Sequence, residues 1–222
     1  MDPSQLDLYH VARPPRAAGA EPHPALVLLH GRGANELDLL PLADALDPRL
    51  FVVAVRAPLT LAQGFEWYRL LEIGRAEPTS FAAGFDALQR FLADLPRRYP
   101  IDPARIFTLG FSQGSVMAGS TFLARPDAVA GTIMLSGYLP LSQGIPIDES
   151  SLAGRPVFVG HGTADPLIPI QWGRQVRDFF SRVGAHLTYH EYPITHYVDT
   201  DELEDVSAWL GARVGGGTTN EE

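Results

Sequence analysis

The chain of 222 residues is long enough for one α/β domain with a substantial core, and its formal net charge of -9 argues against nucleic acid or an anionic membrane surface as main partner, since either needs a concentrated basic face. It contains no cysteine, and all 17 of its Lys+Arg residues are arginine. Disulfides, thiolate zinc sites, iron-sulfur clusters, a cysteine nucleophile, a Walker A lysine and a Schiff-base lysine are thereby excluded.

The start, M-D-P-S-Q-L-D-L-Y-H, lacks a basic stretch followed by an apolar run, and nowhere do about eighteen apolar residues occur together, so a soluble, cytoplasmic protein without stable membrane insertion is expected. Leu6 to Ala12 reads as an antiparallel edge strand. Ala25 to His30 and Phe51 to Ala57 are short branched runs of the kind buried on both faces of a parallel sheet. Pro58 to Pro78 follows as a long loop. Phe81 to Tyr99 places Phe81, Phe85, Leu88, Phe91, Leu92 and Leu95 on one helical stripe. A strand from Arg105 to Phe111 leads directly into a helix beginning S-V-M-A-G-S-T-F-L-A, and another strand spans Gly131 to Ser136. A loop rich in Pro, Gly and Ser runs from Gly137 to Ser151. Then come a buried strand, Pro156 to His161, a helix, Ile170 to Val183, a more alternating and hence edge-like strand, Leu187 to Tyr192, and a last helix, Glu202 to Val214. Asp199 has capping-box spacing to Glu202, and Gly215-Gly216-Gly217 ends the pattern. The expected organisation is a single domain over residues 1–215 with a flexible tail at 216–222. The strand-helix alternation predicts a mostly parallel central sheet covered by helices on both faces. In such sheets ligands collect beyond the carboxyl ends of the strands, which makes the two long loops candidate pocket walls.

The stretch L-G-F-S-Q-G sits at a strand-to-helix junction, the context that a G-x-S-x-G nucleophile elbow requires. Small residues at Gly110 and Gly114 let strand and helix nearly touch, and the strained turn lifts the Ser112 hydroxyl above the sheet, toward the N-H groups of the new helix. A helix N-cap serine is the plainer alternative. A serine nucleophile needs a histidine base oriented by an acid, in the order Ser, Asp, His for this arrangement. Asp165, in H-G-T-A-D-P, lies just beyond a buried strand, and His196, in P-I-T-H-Y, lies just beyond the next. His10, His23, His30, His161, His186 and His190 fit worse, as do Asp102, Asp127 and Asp148 in polar turns. The oxyanion hole is assigned to the backbone N-H groups of Gln113, which follows the serine, and Arg32, in H-G-R-G-A-N-E. That loop is no dinucleotide fingerprint, because Glu36 stands where the third glycine belongs. Nor does H-E-Y-P-I make a zinc motif: Ile194 replaces the second histidine, and in a strand His186 and His190 would lie about 13 Å apart. No metal is expected.

These residues resemble the phospholipase/carboxylesterase family of small α/β hydrolases, which includes acyl-protein thioesterases and bacterial carboxylesterases. L-L-H-G-R-G-A-N-E, F-E-W-Y-R-L, G-F-S-Q-G-S-V-M-A, L-S-G-Y-L-P, H-G-T-A-D-P-L-I-P and the final T-H carry the likeness in family order. It implies an α/β-hydrolase fold without a large cap domain, Ser112, Asp165 and His196 as triad, and hydrolysis of small-molecule carboxylic esters or thioesters without a cofactor. Ser115 stands where the family usually has a second glycine, and Arg32 where eukaryotic thioesterases tend to be apolar; both departures bear on substrate rather than chemistry. Phe65, Trp67, Tyr68 and Leu167 are expected to line the substrate site, the alternative being that the aromatics pin a long loop. Esters of short to medium acyl chains, thioesters and lysophospholipids are the substrate candidates; monomer and homodimer both remain open. The competing functional readings are a ligand-binding protein that retained the fold and, less favoured without a cap or propeller segment, a peptidase.

Overall fold

The computed structural model describes residues 8–19 and 21–215. Seven strands form the main sheet: β1 (His10–Arg13), β2 (His23–Leu29), β3 (Phe51–Val55), β4 (Ile101–Phe111), β5 (Gly131–Leu135), β6 (Pro156–Gly162) and β7 (His186–Tyr192). Their spatial order is β1-β3-β2-β4-β5-β6-β7; only the β1–β3 pair is antiparallel. The expected edge strand is therefore present, shifted toward the C-terminus of its predicted span, and the predicted first residues Leu6 and Asp7 lie outside the described residues, as does the expected tail 216–222. Strand β7 pairs with β6 alone and is half-buried along most of its length, the physical origin of its weaker apolar pattern.

Successive strand residues face opposite layers, as the twofold period of a strand requires. Val27, Leu29, Val53 and Val55 point into one core layer, and Leu26, Leu28, Val52 and Ala54 into the other. The first layer is closed by α1 (Pro78–Arg98), α2 (Gln113–Ala124) and α3 (Ile170–Arg182), the second by α4 (Thr200–Val214) and a 3-10 turn at Leu42–Ala45. Helix α1 buries Phe81, Leu88, Phe91, Leu92 and Leu95, whereas Phe85 is only half-buried at the stripe's edge. Helix α2 is different: every residue from Gln113 to Leu123 is buried, which explains its lack of a polar face. The loop 58–78 carries two hairpins, Leu59–Leu61 with Gly64–Glu66 and Leu70–Glu72 with Arg75–Ala76, whose strands are too short to leave a periodic signal in sequence.

The start of α4 departs from a reciprocal capping box. Asp199 does cap the helix, its Oδ1 accepting the Glu202 N-H at 2.9 Å, but the Glu202 side chain turns inward. It is fully buried, against Gly160 of β6, and neither carboxyl oxygen has a partner among the described residues. Burial, reinforced by Asp199 and Asp205, pushes its pKa up to about 8. A carboxyl group whose folded pKa exceeds its unfolded one destabilises the fold as pH rises from about 4.5 to about 8, by about 1.4 kcal/mol per unit. Glu202→Gln should therefore match the wild type in denaturant melts near pH 4 and exceed it by several kcal/mol at pH 8. Equal stability at pH 8 would show that the carboxyl titrates normally.

Candidate active site

Ser112 joins β4 to α2 with φ 53° and ψ -116°, a conformation that costs a non-glycine residue about 1–3 kcal/mol. The neighbours hold it there. Its N-H donates to the Leu135 carbonyl at 3.0 Å and its carbonyl accepts from the Val116 N-H at 3.2 Å. A Cβ on Gly110 would overlap the Gly114 carbonyl, and one on Gly114 would overlap the Leu29 carbonyl, so β2, β4 and α2 meet backbone to backbone. The Ser112 side chain makes no capping bond to α2, which removes the N-cap alternative; its Oγ lies 2.9 Å from His196 Nε2.

Asp165 and His196 come from the loops after β6 and β7, and those loops are stitched together: Thr163 and Ala164 donate backbone N-H groups to the carbonyls of Tyr192 and Ile194 at 2.7 and 3.0 Å. The buried Asp165 divides its oxygens. Oδ1 accepts the N-H groups of Leu167 and Ile168 at 2.8 and 2.9 Å, while Oδ2 lies 2.6 Å from His196 Nδ1. Since a carboxylate can only accept, Nδ1 carries the imidazole proton and Nε2 turns its lone pair to the serine hydroxyl. The imidazole also packs on the Phe111 ring at 4.8 Å. His161 is buried beneath this loop, and burial holds its pKa below the usual value; as a neutral ring it donates Nε2-H to the Ile168 carbonyl at 2.7 Å, supporting the turn that carries Asp165.

Arg32, Ser112, Gln113 and His196 line one cavity of about 320 Å³. Among the described residues no acceptor meets the N-H of Arg32 or Gln113, whereas the next two N-H groups of the loop are taken, Gly33 by Phe65 and Ala34 by Gly31. The Arg32 guanidinium turns to the buried Glu66, Nε to Oε2 at 2.9 Å. Of the four residues expected to line the substrate site, Tyr68 and Leu167 line this cavity and Phe65 and Trp67 do not. Trp67 is wholly buried and donates its indole N-H to the His30 carbonyl at 3.0 Å. Phe65 lies under the Arg56 guanidinium at 4.5 Å while its backbone pairs with Gly33 and Ala34. Both pin the loop.

Leu70, Ile73 and Tyr138 add to the apolar wall, with Phe111 and Ile168, and went unassigned in sequence because the short hairpin and loops that carry the first three leave no periodic signal. The Gln113 side chain was missed as well: its Oε1 accepts the Trp67 N-H and its Nε2 donates to the Tyr68 carbonyl, each at 2.7 Å, clamping the loop to the elbow. Ser115, in place of a glycine, is buried against Gly137 with its hydroxyl unpartnered among the described residues. The competing acids serve local structure: Asp102 and Asp148 accept backbone N-H groups in their own turns. Glu36 forms a bidentate pair with Arg56 at 2.6 Å, which lowers its pKa.

Residues 16–213 match the family described as Phospholipase/Carboxylesterase. A relative named acyl-protein thioesterase 1, from Debaryomyces hansenii, is 27% identical over 217 residues, covering 87% of this chain and 93% of its own. The solved structure of a Bacillus cereus carboxylesterase superposes with a TM-score of 0.84 at 27% identity, covering 94% of this chain and 96% of the other. A carboxylesterase from Mesorhizobium loti gives 0.78 at 26% identity, with 85% and 88% covered. With the doubly covered, mostly parallel sheet, these matches establish that the chain belongs to the phospholipase/carboxylesterase family of α/β hydrolases.

Proposed function

We propose that this carboxylesterase-family enzyme is a serine hydrolase that cleaves carboxylic esters of short to medium acyl chains, with thioesters and lysophospholipids as further candidates, in the cytoplasm and without a cofactor. The observation that carries the reading is the hydrogen-bonded series Asp165, His196, Ser112, which ends at an apolar cavity. His196 Nε2 takes the hydroxyl proton as Ser112 Oγ bonds to the ester carbonyl carbon, and the carbonyl oxygen gains the electron pair. The N-H groups of Arg32 and Gln113 face that oxyanion. Collapse of the tetrahedral adduct breaks the bond to the alcohol oxygen, which receives the proton from His196. Water, deprotonated by the same ring, then attacks the acyl-enzyme, and a second collapse releases the acid and restores Ser112. Asp165 holds the ring and stabilises its charged form throughout.

The cavity is at the small end of ligand sites, which span about 300–1,000 Å³, and Ile73 and Leu167 on its rim are half-exposed. This supports short or medium acyl groups. No helix among the described residues is long and apolar enough to cross a membrane.

Ser112→Ala should keep a wild-type thermal melt, lose about 10⁴-fold or more in turnover of a nitrophenyl ester and lose all labelling by an organophosphonate. Labelling that persists at another serine would overturn the assignment. At the oxyanion hole, Arg32→Ala keeps the amide and should alter turnover of a neutral ester only modestly. A folded Arg32→Pro protein lacks the donor and should lose about 10²–10³ in kcat; near-wild-type turnover would remove Arg32 from the role. Across a series of acyl lengths, kcat/KM should peak at short or medium chains, and activation at an oil-water interface would contradict an uncapped site.

A further inference from the structure

The peptide that carries the Arg32 N-H lies between Gly31 and a turn whose Gly33 has φ 84°, a stretch of backbone with few side-chain restraints on its rotation. An oxyanion donor must be aimed before the charge develops, so something has to hold this peptide. His30 stands next to it, 1% exposed at the end of β2. Its Nε2 lies 3.0 Å from the Ala57 backbone N-H, a group that can only donate. Nε2 therefore bears the lone pair and Nδ1 the proton, which fixes the tautomer without ambiguity. Nδ1-H then donates to the Gly31 carbonyl at 2.7 Å. That carbonyl and the Arg32 N-H belong to the same planar trans peptide and point in opposite directions, so a bond that holds the oxygen also aims the hydrogen. The Ala34 N-H grips the same oxygen at 3.3 Å, and the Trp67 indole holds the carbonyl of His30 itself.

We propose that His30 is a positioning residue of the oxyanion hole: through the Gly31 carbonyl, its Nδ1-H points the Arg32 N-H into the cavity. The inference rests on the reading of Arg32 N-H as an oxyanion donor. Burial keeps the ring neutral, and the other charges that act on it are Asp38 and Glu36, which favour protonation, and Arg56, which opposes it. Neutrality matters because a proton on Nε2 would meet the Ala57 N-H head on and break the set of bonds that orients the ring.

Asparagine and glutamine separate the two ring nitrogens, since the amide of Asn reaches the position of Nδ1 and that of Gln the position of Nε2. His30→Asn should keep kcat within about fivefold of wild type; His30→Gln and His30→Ala should lose about 10² in kcat with little change in KM, the cost of one misaligned donor. The inhibition constant of phenylboronic acid, which forms a tetrahedral anion on the serine, should weaken in parallel, while that of the carboxylate product should not. Melts establish folding. If folded His30→Gln or His30→Ala binds the boronate as wild type does, or Asn is no better than Gln, the positioning role is wrong while the serine mechanism stands. A wild-type enzyme that forms no boronate adduct would instead remove the proposed mechanism and this inference with it. Should the variants not fold, nitrogen NMR of wild-type protein labelled in histidine decides: a neutral Nδ1-H ring at position 30 is expected at pH 7.5, and an Nε2-H or charged ring there overturns the proposal.

Discussion

The close approach of three backbones at Ser112 is the constraint around which the rest of the molecule is arranged. Strand β2, strand β4 and helix α2 can come together there only because Gly110 and Gly114 have no side chains, and the serine between them occupies a conformation that no local interaction favours. The strain persists because the surroundings over-determine it. Helix α2 is buried along its length, between the sheet and the other helices of its layer, and β4 is hydrogen-bonded on both sides, to β2 and β5. Relaxing the turn would pull one or the other out of register and expose apolar area at about 25 cal/mol per Å².

Parallel strands then determine where everything else can be. Because β4, β6 and β7 run in the same direction, the residues just past their ends, Ser112, Asp165 and His196, emerge on one side of the sheet. Direction alone leaves several ångströms of freedom. Continuation of the β6–β7 pairing into the loops, through Thr163 and Ala164, and the turn closed on Asp165 Oδ1 remove it.

Buried polar groups around the cavity divide into those that pin and those that cost. The Gln113 amide meets two backbone groups of one loop, the His30 ring meets the Ala57 N-H and the Gly31 carbonyl, and the Trp67 indole meets the His30 carbonyl, so losing any one of these side chains takes a partner from at least one backbone group beside the elbow. Charges are treated the same way: Arg32 turns to Glu66 and Arg56 to Glu36, beside a cavity whose wall is largely apolar. Glu202 is the exception, a buried carboxyl without a partner among the described residues on the opposite layer from α2, where its protonation relieves the cost at low pH.

What the sequence determined by itself was the order of the main-sheet strands and covering helices, and the choice of Ser112, Asp165 and His196 as side chains that the fold brings into one hydrogen-bonded series, because strand periodicity, paired glycines and the residues just beyond strand ends are properties of neighbouring positions. The edge character of β7 was legible for the same reason. Tertiary structure alone decided what depended on distant segments meeting. Trp67 and Phe65 occur in the same aromatic stretch as Tyr68, yet Trp67 is drawn under the His30 carbonyl and Phe65 under Arg56, so only Tyr68 faces the cavity. Asp199 and Glu202 have the spacing of a reciprocal cap, yet the space beside Gly160 takes the Glu202 side chain inward. In each case a side chain with a plausible local use was drawn to a segment far away in the chain, and pattern within a window of neighbours carries no information about which distant surface it will meet.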